Sequence, residues 1–149
     1  MNYKIYTKNL PNYVKKQLPD LFDWTTDGVL FGNDKQPSSM VMVVYNENPK
    51  DVIGAICLTL GSPTKYDELG NPYFNLYIER MEVNPKYKRQ GYGTKIFQLV
   101  LFIYDGLLEK VSLTHREYDK NVSYRFWRSM GFRHKGSGSY MELKIKDLK

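Results

Sequence analysis

The chain has 149 residues, 42% of them hydrophobic and 26% charged, with a formal net charge of +6. That length supports one domain with a proper core, expected over residues 1–149, and the composition is that of an ordinary soluble globular protein. A membrane-spanning helix is excluded because no apolar run is long enough, and an internal disulfide because Cys57 is the only cysteine. The opening MNYKIYTKNL lacks the apolar stretch of a leader peptide, so a cytoplasmic protein is expected. Cys57 sits in an apolar run and is expected to be a buried, inert thiol. The positive charge favours anionic partners. Outside Lys86 to Arg89 the lysines are scattered, so a solvated basic surface is expected, and nucleic acid is the less favoured anionic partner, with a nucleic-acid binder using the basic loop as a third reading.

Residues 2–7 alternate loosely and predict a first strand. Pro11 to Phe22 predicts one helix or two short ones, since Pro19 interrupts the pattern; Leu18, Leu21, Phe22 and Trp24 supply its apolar side. Residues 25–39 are polar and turn-rich. Met40 to Tyr45 and Val52 to Leu60 predict a hairpin, and Gly54 inside the second strand marks a bulge or a close packing neighbour. Gly61 to Pro72 is expected to be a long loop holding Asp67 and Glu68. Tyr73 to Val83 is the longest β-run, with mixed faces that suit a central strand. Ile96, Phe97, Val100, Tyr104, Leu107 and Leu108 recur at helical spacing, although Asp105-Gly106 is able to end that helix a turn early. Lys110 to His115 is the next strand. A helix follows from Asp119 to Met130, with Val122, Phe126 and Met130 as its buried stripe and Gly131 just past its end. Phe132 to His134 and Ser139 to Ile145 form a last pair of strands around Gly136-Ser137-Gly138. The order predicts an α/β fold with a mixed, mostly antiparallel sheet and helices on both faces.

The stretch Met81 to Thr94, MEVNPKYKRQGYGT, carries the chemistry. A strand ends at Val83, Pro85 stops it, and Lys86, Lys88, Arg89 and Gln90 crowd a short loop. Gly91 and Gly93 follow, and a helix begins directly after them. Unpartnered amides at the positive end of a helix, approached through glycine, make a seat for phosphate. A Rossmann turn is ruled out because Ile96 stands where a third glycine is needed, and a P-loop because no Gly-Lys-Ser/Thr ending is present. The remaining pattern, V-x-P-x-Y-K-x-x-G-x-G, resembles the acetyl-CoA pyrophosphate loop of the GNAT superfamily of N-acetyltransferases, with Lys88 at the place usually held by Gln or Arg. Lys120 to Phe132, KNVSYRFWRSMGF, resembles a second segment of that family through Phe126, Met130, Gly131, Phe132 and the small Ser123. The element order is also that of a GNAT domain.

The resemblance implies transfer of an acetyl group from acetyl-CoA, as co-substrate, to the primary amine of a small molecule or protein by direct attack. It implies cofactor contacts from Met81, Glu82 and Val83, from Lys88, Arg89, Gln90, Gly91, Tyr92, Gly93 and Thr94, and from Asn121 and Trp127. Glu79, on the face of its strand shared with Met81 and Val83, is the candidate base. The family tyrosine that protonates the departing thiolate falls on Trp127, whose indole donates a hydrogen bond but not a proton near neutral pH. Tyr124, one turn earlier, is the candidate substitute. That departure keeps a second reading in play, an acyl-CoA-binding protein of this fold with weak or no catalysis. The acceptor pocket is expected from Pro11 to Trp24 and Gly61 to Pro72, where Asp67 and Glu68 suit a cationic substrate. No Cys/His cluster predicts a metal, and the resemblance allows a homodimer.

Overall fold

The protein was analysed as a computed structural model, which describes residues 1–18, 39–114, 123–136 and 138–145. The expectations for Pro19 to Trp24, for the polar stretch before Ser39, and for His115, Asp119, Lys120, Asn121 and Val122 lie outside these residues. The strands are β1 (Asn2–Tyr6), β2 (Ser39–Tyr45), β3 (Val52–Tyr66), β4 (Pro72–Val83), β5 (Leu108–Thr114), β6 (Arg133–His134) and β7 (Tyr140–Lys144). The helices are α1 (Asn12–Gln17), α2 (Tyr92–Ile103) and α3 (Ser123–Ser129). The strands form one sheet in the order β1-β2-β3-β4-β5-β7-β6. β4 and β5 run in parallel, whereas β1–β2, β2–β3, β5–β7 and β6–β7 are antiparallel. This is the mixed α/β sheet that the element order predicts. The chain divides into two compact units, Met1–Thr59 with Glu79–Ile103, and Leu60–Ile78 with Tyr104–Lys149.

In the first unit, Val41 and Val43 of β2 and Ala55 and Cys57 of β3 pack with Leu10, Val14 and Leu18 around α1. Alternation along β3 turns Gly54 and Ile56 to the opposite face. There Ile96 of α2 comes so close that a Cβ added at Gly54 would lie 2.8 Å from its Cδ1 and 2.6 Å from the Glu82 carbonyl oxygen. The two helices therefore flank β3 on opposite faces. The strand also bulges beside this point: Val44 pairs with Gly54 and Tyr45 with Val52, which leaves Ile53 out of register. Both devices expected at Gly54 are present. Along α2, Ile96, Phe97 and Val100 are buried as the periodicity predicts.

In the second unit, Val111 and Leu113 of β5 and Met141 and Leu143 of β7 supply the buried face. α3 ends in a Schellman arrangement: the Gly131 N–H donates to Arg128 O at 3.0 Å and the Phe132 N–H to Trp127 O at 3.1 Å. That turn folds Phe132 back edge-on to Trp127, with 5.3 Å between ring centroids. The buried stripe therefore differs from expectation. Trp127 and Phe132 are inside, while Phe126 and Met130 are only half-buried. α2 stops at Ile103; the Leu107 N–H closes a turn onto Tyr104 O at 3.0 Å, Leu107 is exposed, and Leu108 already begins β5. The larger correction concerns Gly61 to Pro72. Most of it is strand, and the turn between β3 and β4 occupies only Asp67 to Asn71. Its side chains gave no alternation because this end of the hairpin is exposed on both faces.

Gly54→Ala tests the tightest of these contacts. The methyl group meets backbone, which cannot step aside, so a loss of roughly 2–3 kcal/mol is expected. Thermal denaturation should register this as a melting temperature lower by roughly 5–10 °C.

Candidate functional site

The first unit holds the strand, loop and helix that the sequence singles out. The parallel pairing of β4 with β5 ends at Ile78 with Leu113, and β4 itself continues to Val83. Along this extension Glu82 is buried, while Met81 and Val83 are half-buried. Asn84 then terminates the strand. It is buried, its N–H donates to Ile53 O at 2.8 Å, and its Nδ2 donates to Val52 O at 2.8 Å and to Gln17 Oε1 at 3.4 Å. Its Oδ1 accepts the Lys86 N–H at 3.2 Å and caps the short 3-10 turn Pro85–Tyr87. Gln17 completes the tie, accepting the Val52 N–H at 3.0 Å and donating to Lys50 O at 2.7 Å. The backbone and side-chain polar groups of Asn84 thus all have partners, its carbonyl accepting the Tyr87 N–H at 2.8 Å, as burial demands.

Two loop side chains are fastened to the β2–β3 turn. The Tyr87 hydroxyl donates to Asp51 Oδ2 at 2.6 Å and accepts from Asn46 Nδ2 at 3.2 Å. Lys86 Nζ lies 2.7 Å from Asp51 Oδ1. The Lys86 and Tyr87 hydrogen bonds hold the Asp51 carboxyl below the usual carboxylate range, and the same contact with Asp51 raises Lys86. Lys86 is therefore committed to Asp51, and the basic cluster expected in the loop reduces to Lys88 and Arg89, both exposed, with Gln90 reaching back to Lys86 O at 3.4 Å.

The backbone of the loop is bent through two left-handed residues, Arg89 at φ 64° and Gly91 at φ 79°. The conformation suits glycine but is strained for arginine, at a cost on the order of 1 kcal/mol that functional loops commonly carry. A Cβ at Gly91 would meet nothing within 4 Å, so the space above it is open. α2 begins at Tyr92 with no acidic residue in its first turn. Its first intrahelical bond runs from the Lys95 N–H to Gly91 O at 3.2 Å. The amides of Tyr92, Gly93 and Thr94 precede that bond and have no partner within the helix. An open, acid-free, strained loop before a helix N-terminus fits an anionic diphosphate.

Glu79 projects from β4 in the same unit. Thr59 Oγ1 of β3 donates to Glu79 Oε1 at 3.3 Å, and Ser39 Oγ of β2 lies 3.1 Å from Thr59 Oγ1. Partial desolvation raises the carboxyl above its ordinary value, and the Thr59 hydroxyl pulls the other way. Neither hydroxyl was foreseen, because only the strand register places them beside Glu79. Asn84 was also missed, although an Asn-Pro step after a strand is a recognisable turn signal.

The second unit holds the other two candidates. Trp127 is buried between Phe126 and Phe132, with ring centroids 4.8 Å and 5.3 Å away. The Tyr124 hydroxyl accepts from Arg128 at 3.3 Å, and its ring stacks on His134 at 5.0 Å. Asp67 is taken up by its own turn, accepting from the N–H groups of Leu69 at 2.9 Å and Asn71 at 2.8 Å; hydrogen bonds from Asn71 hold its carboxyl low. Cys57 is buried and its thiol is pushed up to about 12 by desolvation, which keeps it protonated. Among the described residues no three His, Cys, Asp or Glu side chains group to hold a metal, and no helix is long and apolar enough to cross a membrane.

The profile of the Acetyltransferase (GNAT) family matches residues 2–132. The chain belongs to that family. No curated protein matches it in sequence. Among solved structures, a tetramutant of the BH1408 protein from Bacillus halodurans superposes with a TM-score of 0.70 at 14% identity, over 92% of this chain and 96% of that one. AtaT complexed with acetyl-methionyl-tRNAfMet gives 0.66 at 13% identity, over 99% and 97%; AtaTR has also been solved bound with AcCoA. Ard1 from Thermoplasma volcanium gives 0.62 at 18% identity, over 97% and 99%. At such identities these likenesses establish the fold.

The corner at Asn84 is testable by itself. Asn84→Ala, and equally Asn84→Asp, which keeps the acceptor for Lys86 but loses the donor to Val52 O, should each cost roughly 1–3 kcal/mol. Full stability of the aspartate variant in denaturant unfolding would show that the Val52 contact contributes nothing.

Proposed function

We propose that the chain transfers an acetyl group from acetyl-CoA to a primary amine. The observation that carries this reading is the left-handed pair Arg89 and Gly91 leading into the amides of Tyr92, Gly93 and Thr94. These amides, with Lys88 and Arg89, would hold the diphosphate of acetyl-CoA, which supplies the activated acetyl group as a thioester. Met81, Glu82 and Val83 would offer backbone partners to its amide-bearing arm, and a β4 N–H would stabilise charge on the thioester carbonyl oxygen. An alkyl amine is mostly protonated at pH 7 and must lose a proton to attack. Glu79 would take that proton, with its raised pKa bringing it nearer to working pH. Tyr124 is proposed to return a proton to the departing thiolate. Asn121 is kept as a proposed cofactor contact. Trp127 is buried, so its proposed part in cofactor binding is as a wall of aromatic packing.

The burial of Trp127 where the family has a tyrosine favours a second reading, an acyl-CoA-binding protein with weak catalysis. We take the acceptor to be a small molecule, a protein or a nucleic acid; AtaT, a neighbour in fold, has been solved complexed with acetyl-methionyl-tRNAfMet, which supports keeping nucleic acid among them. A cytoplasmic location is part of this proposal, supported by a sequence whose one cysteine, Cys57, can form no internal disulfide.

Thiol release measured across a panel of amines tests the catalytic claim, and its complete absence while acetyl-CoA binds would favour the second reading. Glu79→Gln should lower turnover by roughly 10²-fold at neutral pH, recovering partly at high pH, where the amine is neutral without help. Thr59→Val removes a hydrogen bond that favours the carboxylate. The Glu79 pKa should then rise, and the acidic limb of the kcat/KM profile should move to higher pH. A limb that stays in place would detach Thr59 from the mechanism.

A further inference from the structure

We propose that the surface formed by α3 and β6 binds single-stranded nucleic acid. Residues 123–136, SYRFWRSMGFRHKG, contain four fixed cations, Arg125, Arg128, Arg133 and Lys135, together with His134 and no Asp or Glu. All five of these side chains belong to exposed residues. Direct contacts hold Arg128, Arg133 and His134 together. The Arg128 guanidinium donates to the Tyr124 hydroxyl at 3.3 Å, the Tyr124 ring stacks on His134 at 5.0 Å and 12°, and the Arg133 guanidinium donates to Arg128 O at 3.1 Å and Phe132 O at 2.8 Å. Lys135 follows His134 in sequence and lies 3.9 Å from Glu142, whose nearer partner is Lys110 at 2.8 Å. The Glu142 carboxylate beside Lys135 is therefore already engaged by Lys110.

Charge complementarity selects a polyanion. The stacked Tyr124–His134 pair narrows the choice. Guanidinium groups beside an aromatic pair whose His134 ring is exposed suit a phosphate backbone whose bases are unpaired and able to stack, whereas an acidic peptide has no use for the rings. The proposal shares Tyr124 with the catalytic reading, but its test reads strand binding alone, at Arg125, Lys135 and His134, which that reading does not use.

The test is fluorescence anisotropy with labelled RNA and DNA oligonucleotides of one sequence, single-stranded and about 12 nucleotides long. A poly-aspartate peptide of equal charge is the competitor, and the strand bound more tightly names the preferred chemistry. Arg125→Gln combined with Lys135→Gln should weaken binding at least tenfold and make the salt slope shallower by roughly 1.4, the value for two lost phosphate contacts. His134→Ala should weaken it by roughly fivefold or more while leaving the slope intact. Melting temperature and acetyl-CoA calorimetry on the same variants should match the parent protein. The proposal is overturned if the parent binds neither strand at low salt, if poly-aspartate displaces the strand at equal charge concentration, or if the double variant binds like the parent.

Discussion

Where β4 ends, a chain that has run through a buried sheet must turn without stranding a polar group. Asn84 meets that constraint. Its backbone N–H takes the carbonyl of Ile53, the residue that the bulge pushes out of register, and its side chain bridges Val52 O and the Lys86 N–H. The bulge at Gly54 and the turn at Asn84 are thus two halves of one device: the first offers the carbonyl that the second needs. Once the corner is pinned, Asp51 holds Tyr87 and Lys86, and the backbone bends through Arg89 and Gly91 into α2. The proposed diphosphate seat inherits its position from this chain of contacts. Rigid support beneath a strained loop is what lets a binding geometry persist before the ligand arrives.

Much of this was legible in the sequence. The 3.6-residue period placed Ile96, Phe97 and Val100 on the buried side of α2, and the proline and glycines bounded the loop. Gly54 announced a bulge or a close approach, the usual reasons for an isolated glycine in a strand, and the fold uses both. Failures occurred where periodicity carries no information. The extension of β3 to Tyr66 is exposed on both faces, so its side chains show no alternation even though the backbone is extended. α3 is only seven residues long, and its burial is decided by the Schellman turn that folds Phe132 against Trp127, not by helical spacing.

The candidate site divides in the same way. Local features such as the glycine turn and the first turn of a helix can be read in order along the chain. Partners brought together by register cannot: Ser39, Thr59 and Glu79 come from three strands, and no spacing links them. Counting lysines also misjudged the charge. Lys86 looked like part of the anion seat but pairs with Asp51, whereas Arg128 and Arg133, from α3 and β6, come into direct contact. Partner expectations drawn from charge density along the chain therefore need the fold before they mean anything.

Calorimetric titration with acetyl-CoA and, separately, with S-acetylpantetheine most directly tests the proposed seat, because the two ligands share the thioester and the amide arm and differ in the diphosphate-bearing nucleotide. Acetyl-CoA should bind by roughly 100-fold more tightly, corresponding to about two charge-assisted hydrogen bonds. Gly91→Val, which forbids the left-handed bend, should erase most of that difference while leaving the shorter ligand unaffected. Equal affinities for the two ligands in the parent protein, or an undiminished preference in the valine variant, would contradict the account.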